Sequence, residues 1–175
     1  MSERVVVLDF GAQYNQLIVR RVREAGVFSE LLPYHAPLAR IRGEALSGII
    51  LSGGPDSAYR PDAKRCDPGV FSLGVPVLGV CYGMQMMAQM LGGRVGEAPV
   101  REFGQTPIRW MDSPLFAGID SEFVWMTHND AVLSLPDGFH TIAATEHCPI
   151  AAFADDTRRL YGIQFHAEVS HTPQG

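Results

Sequence analysis

The chain has 175 residues and a net charge of −5, with 46% hydrophobic and 19% charged residues. That length suits one domain with a sizeable core, and the composition is that of a folded globular protein, not a disordered one. No lysine or arginine run makes a nucleic-acid patch, no apolar run approaches the ~20 residues that cross a bilayer, and Met1–Arg4 has no signal-peptide layout. The three cysteines, Cys66, Cys81 and Cys148, are far apart and form no CxxC pair. They point to a reducing cytoplasm and away from a disulfide framework or a structural zinc site, so no metal is expected.

Arg4–Phe10 is a short, nearly all-apolar run, the pattern of a strand covered on both faces. Gln13–Ala25 has helical spacing, with Leu17, Ile18, Val22 and Ala25 on one face, and Gly26 is placed to end it. Phe28–Leu32 predicts a second strand, Leu38–Leu46 a short helix, and Gly48–Leu51 a third buried strand running into Ser52-Gly53-Gly54-Pro55. Arg20, Arg21 and Arg23 form the densest basic group and fit a solvated helix face. Pro76–Val80 predicts a fourth strand, and Met84–Leu91 a helix that stops at Gly92-Gly93. The alternation predicts an α/β fold: a doubly wound, mostly parallel central sheet with helices on both faces. Beyond Gly93 the pattern changes to short strands at 94–95, 106–110, 123–127, 141–145, 150–154 and 160–165, an antiparallel extension of that sheet.

Sites in such sheets form beyond the carboxyl ends of the strands. Three ends fall there: Asp9-Phe10-Gly11, Ser52–Pro55 and Gly79-Val80-Cys81. Gly79-x-Cys81-x-Gly83 at a strand-to-helix junction is the cysteine form of a nucleophile elbow. The following helix would aim its positive dipole end at the sulfur and favour the thiolate. The competing reading of Cys81 alone is a buried core cysteine. Neither a phosphate loop nor a dinucleotide-binding glycine motif is present.

Gly162-Ile163-Gln164-Phe165-His166-Ala167-Glu168 supplies the complement. In an extended segment His166 and Glu168 face the same way, so the carboxylate can fix one ring nitrogen and leave the other to move a proton. His128, at another predicted strand end, is expected as a rim residue or one supporting the site from behind, and not as a base.

These stretches, with Leu8–Tyr14, Ile50–Pro55, Gly79–Gln85 and Arg101–Gly104, resemble class I (triad) glutamine amidotransferases over essentially the whole chain. Within them they resemble the glutaminase domains of GMP synthetases. The resemblance implies a flavodoxin-like core and a catalytic triad of Cys81, His166 and Glu168. It implies an oxyanion hole from the Gly54 and Tyr82 N–H groups, and glutamine contacts from Gly53, Gln85, Thr127, Asn129 and Asp130. It implies L-glutamine as substrate, no cofactor in residues 1–175, and an ATP-pyrophosphatase domain, in cis or as a separate subunit, where ATP and Mg are used to convert XMP to GMP. That domain is absent from these residues and is expected beyond them. Two positions depart from the family pattern: Asn129 stands where Gly is usual and Ala167 where Pro is usual. Asn best tolerates a left-handed backbone among non-glycine residues. Rival readings are the glutaminase of anthranilate or carbamoyl-phosphate synthesis, a cysteine peptidase relative, a non-catalytic binding module, and a flavodoxin-like cofactor binder, the last disfavoured by the missing phosphate loop.

Overall fold

The computed structural model describes residues 3–175. Met1 and Ser2, the start of the stretch expected to lead straight into the first strand, lie outside them. In chain order the strands and helices are β1 (Arg4–Asp9), α1 (Asn15–Glu24), β2 (Phe28–Pro33), α2 (Leu38–Ile41), β3 (Leu46–Leu51), β4 (Val77–Val80) and α3 (Tyr82–Met90). The second half has β5 (Arg94–Pro107), β6 (Arg109–Trp110), β7 (Phe123–Ser134), β8 (His140–Ala144), β9 (Ala152–Asp155) and β10 (Leu160–Ile163).

One eight-stranded sheet runs β2-β1-β3-β4-β10-β9-β8-β6. Its first five strands are parallel, and β9, β8 and β6 continue it antiparallel. The inner parallel strands β1, β3, β4 and β10 are mostly apolar because both faces are covered there, while the edge strand β2 carries Ser29, Glu30 and the exposed Phe28. Val6 and Leu8 of β1 point into a core with Ile41, Met84, Met87 and Ala88 from α2 and α3. Val7, between them, points the other way onto Ile18 and Val19 of α1. Alternate residues of one strand thus meet helices on opposite faces, as a doubly wound sheet requires. Gly26, at φ +85, closes α1 in the left-handed conformation expected of it.

The C-terminal half departs from the sequence reading. β5 and β7 pair with each other as a separate two-stranded ribbon instead of joining the main sheet. The stretches expected as separate strands at 94–95 and 106–110 are the two ends of one strand, β5, with β6 beyond it. Its register slips between Glu97 and Glu102, around Pro99, which has no N–H to give a ladder. β7 runs seven residues past Thr127 because His128 and Asp130 are buried with partners of their own.

Candidate active site

The parallel strands bring three chain ends together. β1 and β3 are joined at their ends by Ser52, which is fully buried. Its Oγ accepts from Phe10 N at 2.9 Å and donates to Gly53 O at 2.8 Å. This holds the Gly53-Gly54 turn against the β1 end. A Cβ at Gly54 would stand 2.6 Å from the Phe10 carbonyl oxygen, so no other residue fits there.

β4 delivers Cys81. Cys81 N donates to Ile163 O on β10 at 2.8 Å, and Cys81 O starts α3 by accepting from Gln85 N at 3.1 Å. Between these bonds the backbone takes φ 52 and ψ −107. An L-residue held at positive φ stores strain of about 1–3 kcal/mol, maintained only where its surroundings overdetermine it. The flanking glycines supply that determination. A Cβ at Gly79 would meet Gly83 C and Met84 N at 2.6 Å, and one at Gly83 would meet Leu51 O at 2.3 Å. The glycines therefore serve close packing of β4, α3 and β3, which puts the first turn of α3 directly under the sulfur.

The opposite wall comes from the far end of the chain. β10 ends at Ile163, so His166 and Glu168 lie on an irregular segment and not on the extended run expected for them. They still pair: His166 Nδ1 is 2.7 Å from Glu168 Oε1. The segment is tied to β7 by His166 N donating to Trp125 O at 3.0 Å, and by Thr172, whose Oγ1 donates to His166 O at 2.5 Å and accepts from Trp125 N at 3.0 Å. Arg21 Nε, from α1, donates to Glu168 O at 3.1 Å. Burial alone would push the His166 imidazole down, but hydrogen bonds to Cys81 and to Glu168 outweigh it and raise the ring to about 10. Glu168 Oε2 is buried without a hydrogen-bond partner.

Cys81, His166 and Glu168 line one cavity of about 500 Å³, together with Gly53, Gly54 and Thr127. A Cβ built on Gly53 would lie 3.6 Å from His166 Cε1 and 3.7 Å from Cys81 Cβ, so the ring and the cysteine converge at that glycine. Tyr82 follows Cys81 at the head of α3, with its own ring buried in the core. Gln85, Asn129 and Asp130 are not on the cavity wall. Gln85 is buried, and its Nε2 donates to Asp130 O at 2.9 Å and to Gln164 Oε1 at 3.0 Å. Asp130 faces inward and accepts from Ser57 Oγ at 2.6 Å. Asn129 lies inside β7 in extended backbone and adopts no left-handed conformation. Thr127–Asp130 is thus mid-strand. Of the two places expected for His128, the structure gives the supporting one: it is buried off the cavity wall, with Nε2 2.9 Å from Glu102 Oε2.

The sequence assigns no site role to Trp125 or His171, whose rings stack at 4.4 Å beside the cavity. A signal exists for Trp125, two residues before Thr127 on the same face of one strand. Cys66 and Cys148 are free thiols that burial pushes up to about 12, far from the reactivity of an activated cysteine. Glu102, His128 and Cys148 cluster closely enough to resemble metal ligands, but each already has a protein partner. Among the described residues no helix is long and apolar enough to cross a membrane.

The model of the class-I glutamine amidotransferase family matches residues 6–175. The glutamine-hydrolysing GMP synthase of Clostridium perfringens is 51% identical over 177 residues, covering 100% of this chain and 35% of that protein. That of Geobacillus kaustophilus is 53% identical over 176 residues, 99% of this chain and 34% of the relative. The chain thus spans about a third of the length of these relatives. A solved structure from Thermoplasma acidophilum, of a protein assigned as a GMP synthase subunit, superposes with a TM-score of 0.88 at 33% identity, covering 99% of this chain and 88% of the other.

Proposed function

The chain belongs to the class-I glutamine amidotransferases, and from that premise we propose that it hydrolyses L-glutamine to glutamate and ammonia through a γ-glutamyl thioester on Cys81. The observation that carries this reading is the convergence, on one cavity, of a cysteine at a positive-φ elbow and an imidazole backed by a carboxylate.

The thiol proton passes to the neutral His166 ring, whose hydrogen bonds to Cys81 and Glu168 favour the imidazolium so formed. The sulfur attacks the side-chain amide carbon. The developing oxyanion is received by the N–H groups of Gly54 and Tyr82, each such donor being worth ~3 kcal/mol in the transition state. His166 then delivers its proton to the leaving nitrogen, and ammonia departs. Water, deprotonated by the same ring, cleaves the thioester and frees glutamate. Glu168 fixes the ring through Nδ1, which leaves Nε2 for these transfers. Gly53 and Thr127, on the cavity wall, contact the substrate.

We further infer that the ammonia serves an ATP-pyrophosphatase domain, in cis or as a separate subunit, that aminates XMP to GMP with ATP and Mg, and that this chain itself needs no cofactor. The naming of relatives about three times its length supports this. Three free cysteines support a cytoplasmic setting.

The test is ammonia release from glutamine by the chain alone and with an added ATP-pyrophosphatase domain. We expect weak turnover alone, a rise on addition of the domain, GMP formed from XMP, and loss of both activities in Cys81→Ala. Undiminished turnover by Cys81→Ala would sink the reading.

A further inference from the structure

Gln164 lies two residues before His166, is fully buried, and has no task in the mechanism above. Its Nε2 is 3.5 Å from the Cys81 sulfur, close enough for an N–H···S hydrogen bond. Which end of the amide faces the sulfur is decided by its neighbours. Gln85 Nε2 is 2.9 Å from the Asp130 carbonyl oxygen and 3.0 Å from Gln164 Oε1. A backbone carbonyl can only accept, so the Gln85 group facing it must be the NH₂. The second N–H of that group then needs an acceptor, which makes the facing atom of Gln164 its oxygen. The Gln164 NH₂ is left aimed at Cys81. The Asp130 carbonyl is itself anchored by His128 Nδ1 at 3.0 Å, and His128 by Glu102 at 2.9 Å.

The sulfur has a second neighbour, the Thr127 carbonyl oxygen at 3.7 Å, which accepts from the S–H. Once that proton has moved to His166, a carbonyl oxygen repels the sulfur and the Gln164 N–H attracts it. A donor to an ionised partner in a buried site is worth roughly twice a neutral pair. We propose that Gln164 is a catalytic residue that donates to the Cys81 sulfur and stabilises its thiolate, and that Gln85 is the positioning residue that fixes the direction of its amide. The proposal rests on the reading of Cys81 as nucleophile.

It is tested by alkylating the protein with iodoacetamide across pH, locating adducts by mass spectrometry, in the wild type, Gln164→Met and Gln85→Met. Thermal unfolding confirms that each variant is folded. His166, itself paired with Glu168, is the titratable group facing Cys81 and is unchanged in both variants. In Gln164→Met the pH of half-maximal alkylation at Cys81 should rise by about one unit, making the reaction roughly tenfold slower at neutral pH. Gln85→Met should shift it the same way by less, since an unanchored amide presents either end. A packing role would lower stability and leave the profile in place. An unshifted profile in folded Gln164→Met overturns the proposal. Should that variant not fold, an unshifted profile in Gln85→Met overturns it. Absence of selective Cys81 alkylation in the wild type is a separate result, and it overturns the nucleophile reading itself.

Discussion

The two walls of the cavity are built by different means. On the Cys81 side the geometry is set by backbone against backbone: parallel strands, a helix starting at the nucleophile, and glycines where any Cβ would strike a carbonyl. On the His166 side the segment has no regular secondary structure, and it is held by one backbone bond to Trp125 and by side-chain hydrogen bonds from Thr172 and Arg21. The first wall cannot be disturbed without disturbing the fold. The second can move while the sheet stays intact. The nucleophile is thus fixed rigidly, and its proton carrier is held by contacts that a few side chains control.

Substituting one residue on each wall tests this difference. Gly83→Ala should have the largest effect, because the new methyl meets the Leu51 carbonyl and both belong to the packed core. Overpacking of this kind costs about 3 kcal/mol, or roughly 10 °C in Tm for a domain this size. Glutamine turnover should fall together with folded protein in a thermal melt. Thr172→Val keeps shape but removes the bonds to Trp125 and His166. Stability should fall by about 2 kcal/mol, while kcat drops roughly a hundredfold in protein that is still folded, since small misplacements of a catalytic group cost that much. A Thr172→Val variant that melts early but keeps its kcat would erase the distinction.

The same contrast explains how much is legible in the sequence. Strands buried on both faces give continuous apolar runs, so β1, β3 and β4 stand out and the Gly-x-Cys-x-Gly frame can be placed at a strand end. The ribbon cannot be read this way. In β7 the buried positions include His128 and Asp130, which look like a polar loop until Glu102 and Ser57 are known to face them. An extended strand would pair His166 with Glu168, yet they meet across a bend fixed by Thr172 and Arg21, neither of which has a local signal. The resemblance implies a substrate contact for Gln85. It faces inward because its amide bonds to groups on β7 and just beyond β10, partners too distant in sequence to leave a local signal.

A smaller effect is expected from pH. His166 is raised in the folded protein from its ordinary 6.5 to about 10. A raised value means that the folded state holds the proton more tightly. The resulting stability is fully present below pH 6.5 and is lost as pH rises through about 10. The stability difference between wild type and His166→Gln, measured by denaturant unfolding, should be on the order of 1–2 kcal/mol at pH 6 and shrink toward pH 10. A difference that grows with pH would mean that the ring is neutral in the folded protein.

The smallest effect should come from Arg21→Ala, and it bears most directly on how the two walls communicate. Arg21 sits on α1, the helix packed against Val7 of the parallel strands, and its Nε reaches the Glu168 carbonyl on the irregular segment. The side chain is nearly half exposed and also pairs with Glu24, so its removal should cost less than about 0.5 kcal/mol in stability. Its consequence is directional, because the bond restrains the backbone that carries the carboxylate behind His166. Turnover should fall a few-fold, with a smaller change in KM than in kcat, while Tm stays within about 1–2 °C of wild type. Arg21→Lys should restore little of it, since a lysine ammonium on a flexible stem does not reproduce the fixed Nε donor. If kcat is unchanged in Arg21→Ala, the His166 segment is held by Thr172 and Trp125 alone, and α1 contributes only to the fold.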